Sequence, residues 1–220
     1  MKLSSRIPAR IAAALLLALL AGGLRAQVPV PAQPGVKPDL QYGTAAGEKL
    51  FLDLYQPVPG SDSAKLHPLV VMVHGGAWRA GSRKDFAAGA RELAGKGFVV
   101  ASVGYRFAPA HKFPAQLDDV QLAVRWLRAH VKEYGIDPTR VGAMGASAGG
   151  HLVALLGTRP GRAPKDAPYS DQSDAVQCVV DWFGPTDFTT SYRSDAPKQL
   201  IDWVNDFLGP RTDANKDNYR

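Results

Sequence analysis

Cysteine is almost missing: Cys178 is the only one in 220 residues, so no internal disulfide can form and the fold must rest on its core. It lies in the apolar run Val176-Gln177-Cys178-Val179-Val180, which reads as a buried strand with the thiol as a small core residue. Histidine is scarce too, and none of the five (His67, His74, His111, His130, His151) lies beyond His151. No His/Cys/Asp/Glu set has zinc-type spacing and no phosphate loop occurs, so neither metal nor cofactor is expected. No Lys/Arg cluster is interleaved with aromatics. Of 26 basic residues against 20 acidic, four (Lys2, Arg6, Arg10, Arg25) fall in the first 26 positions, leaving 22 against 20. That balance argues against a nucleic-acid partner.

What is present begins with a leader. Lys2, Arg6 and Arg10 precede an apolar run from Ile11 to Leu20 that is too short for a comfortable membrane span. Residues 1–26 read as a signal peptide cleaved after Ala26, and the mature protein as secreted or periplasmic without stable membrane insertion. Residues 27–38 are proline-rich and read as an extended linker, which leaves 39–220 for one domain.

Within that domain apolar strand-like runs alternate with helical periodicity. Lys49–Tyr55, Leu69–Val73, Phe98–Val103, Arg140–Met144 and Val176–Trp182 read as strands, the first in a hairpin with residues 40–44. Asp85–Lys96 and Ala115–Tyr134 read as helices, the second with Leu117, Val120, Val124, Leu127 and Val131 on one face. This order predicts an α/β fold with a mostly parallel sheet flanked by helices, whose ligands bind beyond the carboxyl ends of the strands.

Two segments at such ends carry chemistry. Gly145-Ala146-Ser147-Ala148-Gly149 follows a strand and precedes a helical stretch from His151 to Gly157. Gly-X-Ser-X-Gly at a strand-to-helix turn presents Ser147 as a nucleophile, with the Ala148 N–H as an oxyanion donor. His74-Gly75-Gly76-Ala77-Trp78 follows the Leu69–Val73 strand, and the N–H groups of Gly76 and Ala77 are the further oxyanion candidates. Since that role uses backbone alone, Gly76→Val is expected to cut turnover by roughly 10² while leaving folding nearly intact. His74 is expected to order its loop, and His151 to pack on its helix away from the hydroxyl.

These segments, with Tyr105-Arg106-Phe107-Ala108-Pro109, Phe113-Pro114-Ala115-Gln116, Gly135-Ile136-Asp137-Pro138 and Phe183-Gly184-Pro185-Thr186-Asp187-Phe188, resemble the carboxylesterase and feruloyl-esterase-like (BD-FAE-like) branch of the α/β-hydrolases, near the hormone-sensitive lipase group. The resemblance runs from about residue 40 to 220. It implies an α/β-hydrolase fold and a serine esterase acting through an acyl-enzyme on small or polysaccharide-borne esters. Ala77 stands where many lipase-group members have a third glycine. Kynurenine formamidases share that feature, which keeps an amidase open, and a non-catalytic relative that binds a ligand is the third alternative.

In this fold the triad follows the chain order serine, acid, histidine. No histidine occurs in the later region where the resemblance implies one. Asp187, just past the Val176–Trp182 strand, is a substitute candidate for the acid, although the resemblance gives that position to a structural turn. The chain is therefore expected to be truncated, with C-terminal strands missing, the triad incomplete, activity weak or absent, and the Val176–Trp182 strand left as an association-prone sheet edge.

Overall fold

The computed structural model describes residues 34–58, 66–159, 163, 165–189 and 196–212. The signal peptide and the first seven residues read as linker lie outside the described residues.

Six strands form one sheet in the order β1-β2-β4-β3-β5-β6: β1 Gly35–Ala45, β2 Glu48–Gln56, β3 His67–Val73, β4 Val99–Val103, β5 Ile136–Ala146 and β6 Cys178–Trp182. β1, β2 and β4 pair antiparallel, whereas β4, β3, β5 and β6 run parallel. Five α-helices accompany them among the described residues: α1 Ala87–Gly95, α2 Ala115–Ala129, α3 Val131–Tyr134, α4 Ala148–Thr158 and α5 Lys198–Leu208.

Period-two alternation divides the strand side chains between two layers. Tyr55, Met72 and Val100 turn to Ala90 and Ala94 of α1. Leu54, Val71 and Ala101 face the other way, into a larger core with Val120, Val124 and Leu127 of α2 and Leu152 and Leu156 of α4. This is the mostly parallel, helix-flanked α/β architecture expected from the sequence.

Three local expectations need correction. β1 starts at Gly35, inside the segment read as linker, because Val36 and Lys37 pair with Tyr55 and Leu54. Pro38 is tolerated there since it sits in the register shift between Lys37 and Leu40, where no ladder N–H is demanded. The long helix to Tyr134 is two helices. His130 (φ −110°, ψ 20°) leaves the helical region, and its Nδ1 lies 2.7 Å from the Trp126 carbonyl. Cys178 is exposed rather than buried, because β6 is an outer strand whose Val180 and Trp182 are also nearly half exposed.

Parallel register is what builds the site. Val73 aligns with Gly145, and Ala146 with Trp182, so the residues that follow β3, β5 and β6 emerge along one edge of the sheet.

Candidate active site

Ser147 caps α4 with φ 54° and ψ −121°, a conformation that L residues rarely adopt. Its N–H donates to the Trp182 carbonyl at 2.8 Å, and its carbonyl accepts from His151 N at 3.0 Å. Two glycines let the turn close this tightly. A Cβ on Gly149 would collide with the carbonyl oxygens of Val73 and His74, and one on Gly145 with the carbonyl of Gly149. The strained serine is therefore wedged between the end of β5, the end of β6 and the loop after β3.

That loop comes close. An ideal Cβ on Gly75 would stand 3.3 Å from the Ser147 Cβ. Gly76 (φ 108°), Ala77 (φ 51°) and Trp78 (φ 58°) all lie in the left-handed region, and the Gly76 carbonyl accepts from Arg79 N at 3.0 Å and Ala80 N at 3.1 Å. A cavity of about 530 Å³ is lined by Gly76, Ala77, Arg79, Ala80, Ser147 and Trp203. The structure thus brings together three of the four residues singled out from sequence. Ala148, the fourth, is buried directly after Ser147 as the first residue of α4, where a helix N–H has no intrahelical acceptor.

One sequence expectation fails here. Any side chain on Gly76 would collide with the backbone carbonyl of Ala80, so Gly76→Val must shift the loop and cannot leave folding nearly intact.

The histidines do other work. His74 is buried, its Nδ1 lies 2.8 Å from the Gly75 carbonyl, and its ring stacks on Tyr105 at 4.4 Å. The Tyr105 hydroxyl donates to the His74 carbonyl at 3.0 Å, so this pair holds the loop in place; burial lowers the His74 pKa and raises that of Tyr105. His67 Nδ1 lies 2.9 Å from the Gly97 carbonyl, and His111 lies 2.7 Å from Glu48. Among the described residues, which include all five histidines, no histidine side chain hydrogen-bonds the Ser147 hydroxyl.

His151 sits in an aromatic cage of Trp78, Phe188 and Phe207 at 5.4, 5.1 and 5.6 Å, and burial pulls its pKa down to about 4. Its Nδ1 has no hydrogen-bond partner among the described residues. The neutral ring is what the fold accommodates. An unfolded chain takes up this proton near the ordinary value of 6.5, so the contribution is fully present above that pH and is lost as pH falls toward 4. The shift corresponds to about 3 kcal/mol. Thermal melts between pH 4 and pH 7 should show stability dropping with acidity, and His151→Phe should flatten that part of the curve. Equal pH slopes in the two proteins would clear His151 of the effect.

Asp187 is exposed and its Oδ1 accepts from Thr189 N (2.8 Å) and Thr189 Oγ1 (2.6 Å), bonds that hold its pKa down. These two bonds form an Asx turn. Among the described residues no three His, Cys, Asp or Glu side chains cluster as a metal site would require.

Sequence reasoning missed Arg79 and Trp203. Arg79 was within reach, two residues past Ala77 in the same loop. Trp203 was not, because no local pattern says which loop the helix that carries it covers.

The BD-FAE family model matches residues 52–220, which takes in both the Ser147 turn and the His74–Trp78 loop. The chain belongs to the BD-FAE family. Among curated relatives, the probable carboxylic ester hydrolase LipM of Mycobacterium tuberculosis is 33% identical over 164 residues, covering 74% of this chain and 37% of LipM. Among solved structures, the bifunctional GH43-CE of Bacteroides eggerthii superposes with TM-score 0.70 at 32% identity, covering 84% of this chain and 27% of that one. A truncated carbohydrate esterase from gut microbiota superposes with TM-score 0.62 at 28% identity, covering 73% and 61%. This BD-FAE chain therefore spans a little over a third of LipM's length, and its fold is that of the α/β-hydrolase esterases.

Proposed function

We propose that Ser147 is the nucleophile of a carboxylic ester hydrolase. Its hydroxyl attacks the ester carbonyl, the N–H groups of Gly76, Ala77 and Ala148 receive the oxyanion, the alcohol leaves, and water releases the acyl group. The observation that carries this reading is the cavity in which the strained Ser147 and the Gly76-Ala77 backbone meet. Names of the relatives support the reaction class, and the carbohydrate esterase among them supports esters that are small or borne on polysaccharide. The basic, then apolar, residues of the first 26 positions support export to the periplasm or beyond.

Proton transfer from Ser147 needs a base, and none of the five histidines of this chain stands at its hydroxyl. The relay is completed by an acid and a histidine outside the described residues. Residues 27–220 alone are accordingly expected to hydrolyse p-nitrophenyl acetate at close to background rate, and a protein carrying the remaining relay to gain turnover that Ser147→Ala removes. Strong Ser147-dependent activity from residues 27–220 by themselves would disprove the missing base.

A further inference from the structure

The serine turn leans on the carboxyl end of β6. Ser147 N–H donates to the Trp182 carbonyl at 2.8 Å, one step past the last paired residues, Ala146 and Trp182. The backbone of the nucleophile is therefore only as well placed as that carbonyl. Directly after it the chain turns through Phe183 at φ 50°, in the left-handed region that side chains disfavour. Phe183 is 80% exposed, so packing of its own ring contributes little to holding the turn.

Asp181 supplies the hold. Its Oδ1 accepts from Gly184 N at 2.8 Å and so closes the turn around Trp182 and Phe183. The same oxygen lies against the helix that starts after Ser147: a Cβ on Gly150 would collide with it, and a Cβ on Gly184 would collide with His151 N. A carboxylate beside the first turn of a helix is also favoured by the helix dipole. The contacts make a closed circuit. Ser147 N–H is held by Trp182, Trp182 is tied through Phe183 to Gly184, and Gly184 presses on His151 N, which bonds back to the Ser147 carbonyl at 3.0 Å. Asp187, by contrast, bonds only to Thr189 in its own turn among the printed contacts of its Oδ1, away from this circuit. We infer that Asp181 is a positioning residue for the nucleophile: by holding Gly184 N–H it fixes the Trp182 carbonyl, and through it the place of Ser147 against the Gly76-Ala77 backbone. The acceptor oxygen does this, not the charge. The inference rests on Ser147 being the ester-cleaving nucleophile.

The test compares Asp181→Ala, which removes the acceptor, with Asp181→Asn, which keeps an oxygen for Gly184 N–H and removes the charge. Both are made in the whole protein, and circular dichroism establishes that they fold. Hydrogen exchange at the Ser147 amide, resolved by mass spectrometry with fragmentation, should be roughly tenfold faster in Asp181→Ala, the size of one lost hydrogen bond, and near the parent's in Asp181→Asn. Turnover of p-nitrophenyl acetate should follow, with kcat down roughly tenfold and KM within about twofold for Asp181→Ala, and both largely kept for Asp181→Asn. If Asp181→Ala does not fold, Asp181→Val, which suits a strand and has no acceptor, decides the matter. The role is overturned if the Ser147 amide and kcat of the alanine variant match the parent's, if the asparagine variant falls as far as the alanine variant, or if KM rises while kcat is kept. Labelling of Ser147 by a fluorophosphonate in the unaltered whole protein reports on the nucleophile separately. Labelling with an unchanged Ser147 amide in Asp181→Ala sinks the positioning role alone; an Asp181-dependent amide without labelling sinks the esterase reading and leaves the hold on Ser147 standing.

Discussion

A fluorophosphonate should add mass to Ser147 and to no other serine when the whole protein is treated, and Ser147→Ala should abolish both the adduct and ester turnover. The expected loss in turnover is on the order of 10⁶, the size seen when a triad member is removed from a serine hydrolase. The reason is geometric. Ser147 occupies a conformation (φ 54°, ψ −121°) that costs of order 1–3 kcal/mol and persists only where its surroundings impose it. Here the hydrogen bond to Trp182, the contact of Gly149 with the end of β3, and the close approach of Gly75 do so together. Peptide mapping by mass spectrometry gives the answer, and an adduct on another serine with Ser147 unmodified would end the assignment.

The second large effect is on stability. Asp119→Ala should destabilise the fold by about 3–5 kcal/mol, because it leaves the Arg106 guanidinium in a largely buried position without its counterion. Arg106 and Asp119 are joined by three side-chain contacts of 2.7 to 3.1 Å, and Arg106 N donates to the same carboxylate at 2.9 Å. Arg106 Nη2 also reaches the Ala115 carbonyl at 3.2 Å, so the pair fastens the loop after β4 to the start of α2. That loop carries Tyr105, which supports His74 and hence the backbone beside Ser147. Urea unfolding of the variant measures the loss. Removing both partners should cost less than removing Asp119 alone, since no buried charge is then stranded. A stability within about 0.5 kcal/mol of the parent would show that water reaches Arg106 freely.

Much of this molecule was legible in one dimension. Strand positions came from short apolar runs and α2 from the spacing of Leu117, Val120, Val124 and Leu127, because burial on one face imposes a period that survives in the sequence. The serine turn was legible for a different reason: its glycines stand at fixed offsets, and the structure shows backbone carbonyls where their side chains would be. Tyr105-Arg106 was visible as a motif, but not as the partner of Asp119, thirteen positions away on another element.

What tertiary structure alone decided concerns which elements become neighbours. An apolar run such as Val176–Val180 reads the same in a central strand as in an outer one, so the exposure of Cys178 followed only from the strand order. The lengths of His74–Trp78 and of α5 gave no sign that they meet; the Arg79–Asp206 ion pair and the Trp78–Phe207 stack, between residues more than a hundred positions apart, bring Trp203 to Ser147. Local sequence carries period, turn chemistry and close-packed glycines, because each depends on residues within one element. The walls of the cavity depend on how separate elements pack, and that is a property of the folded chain.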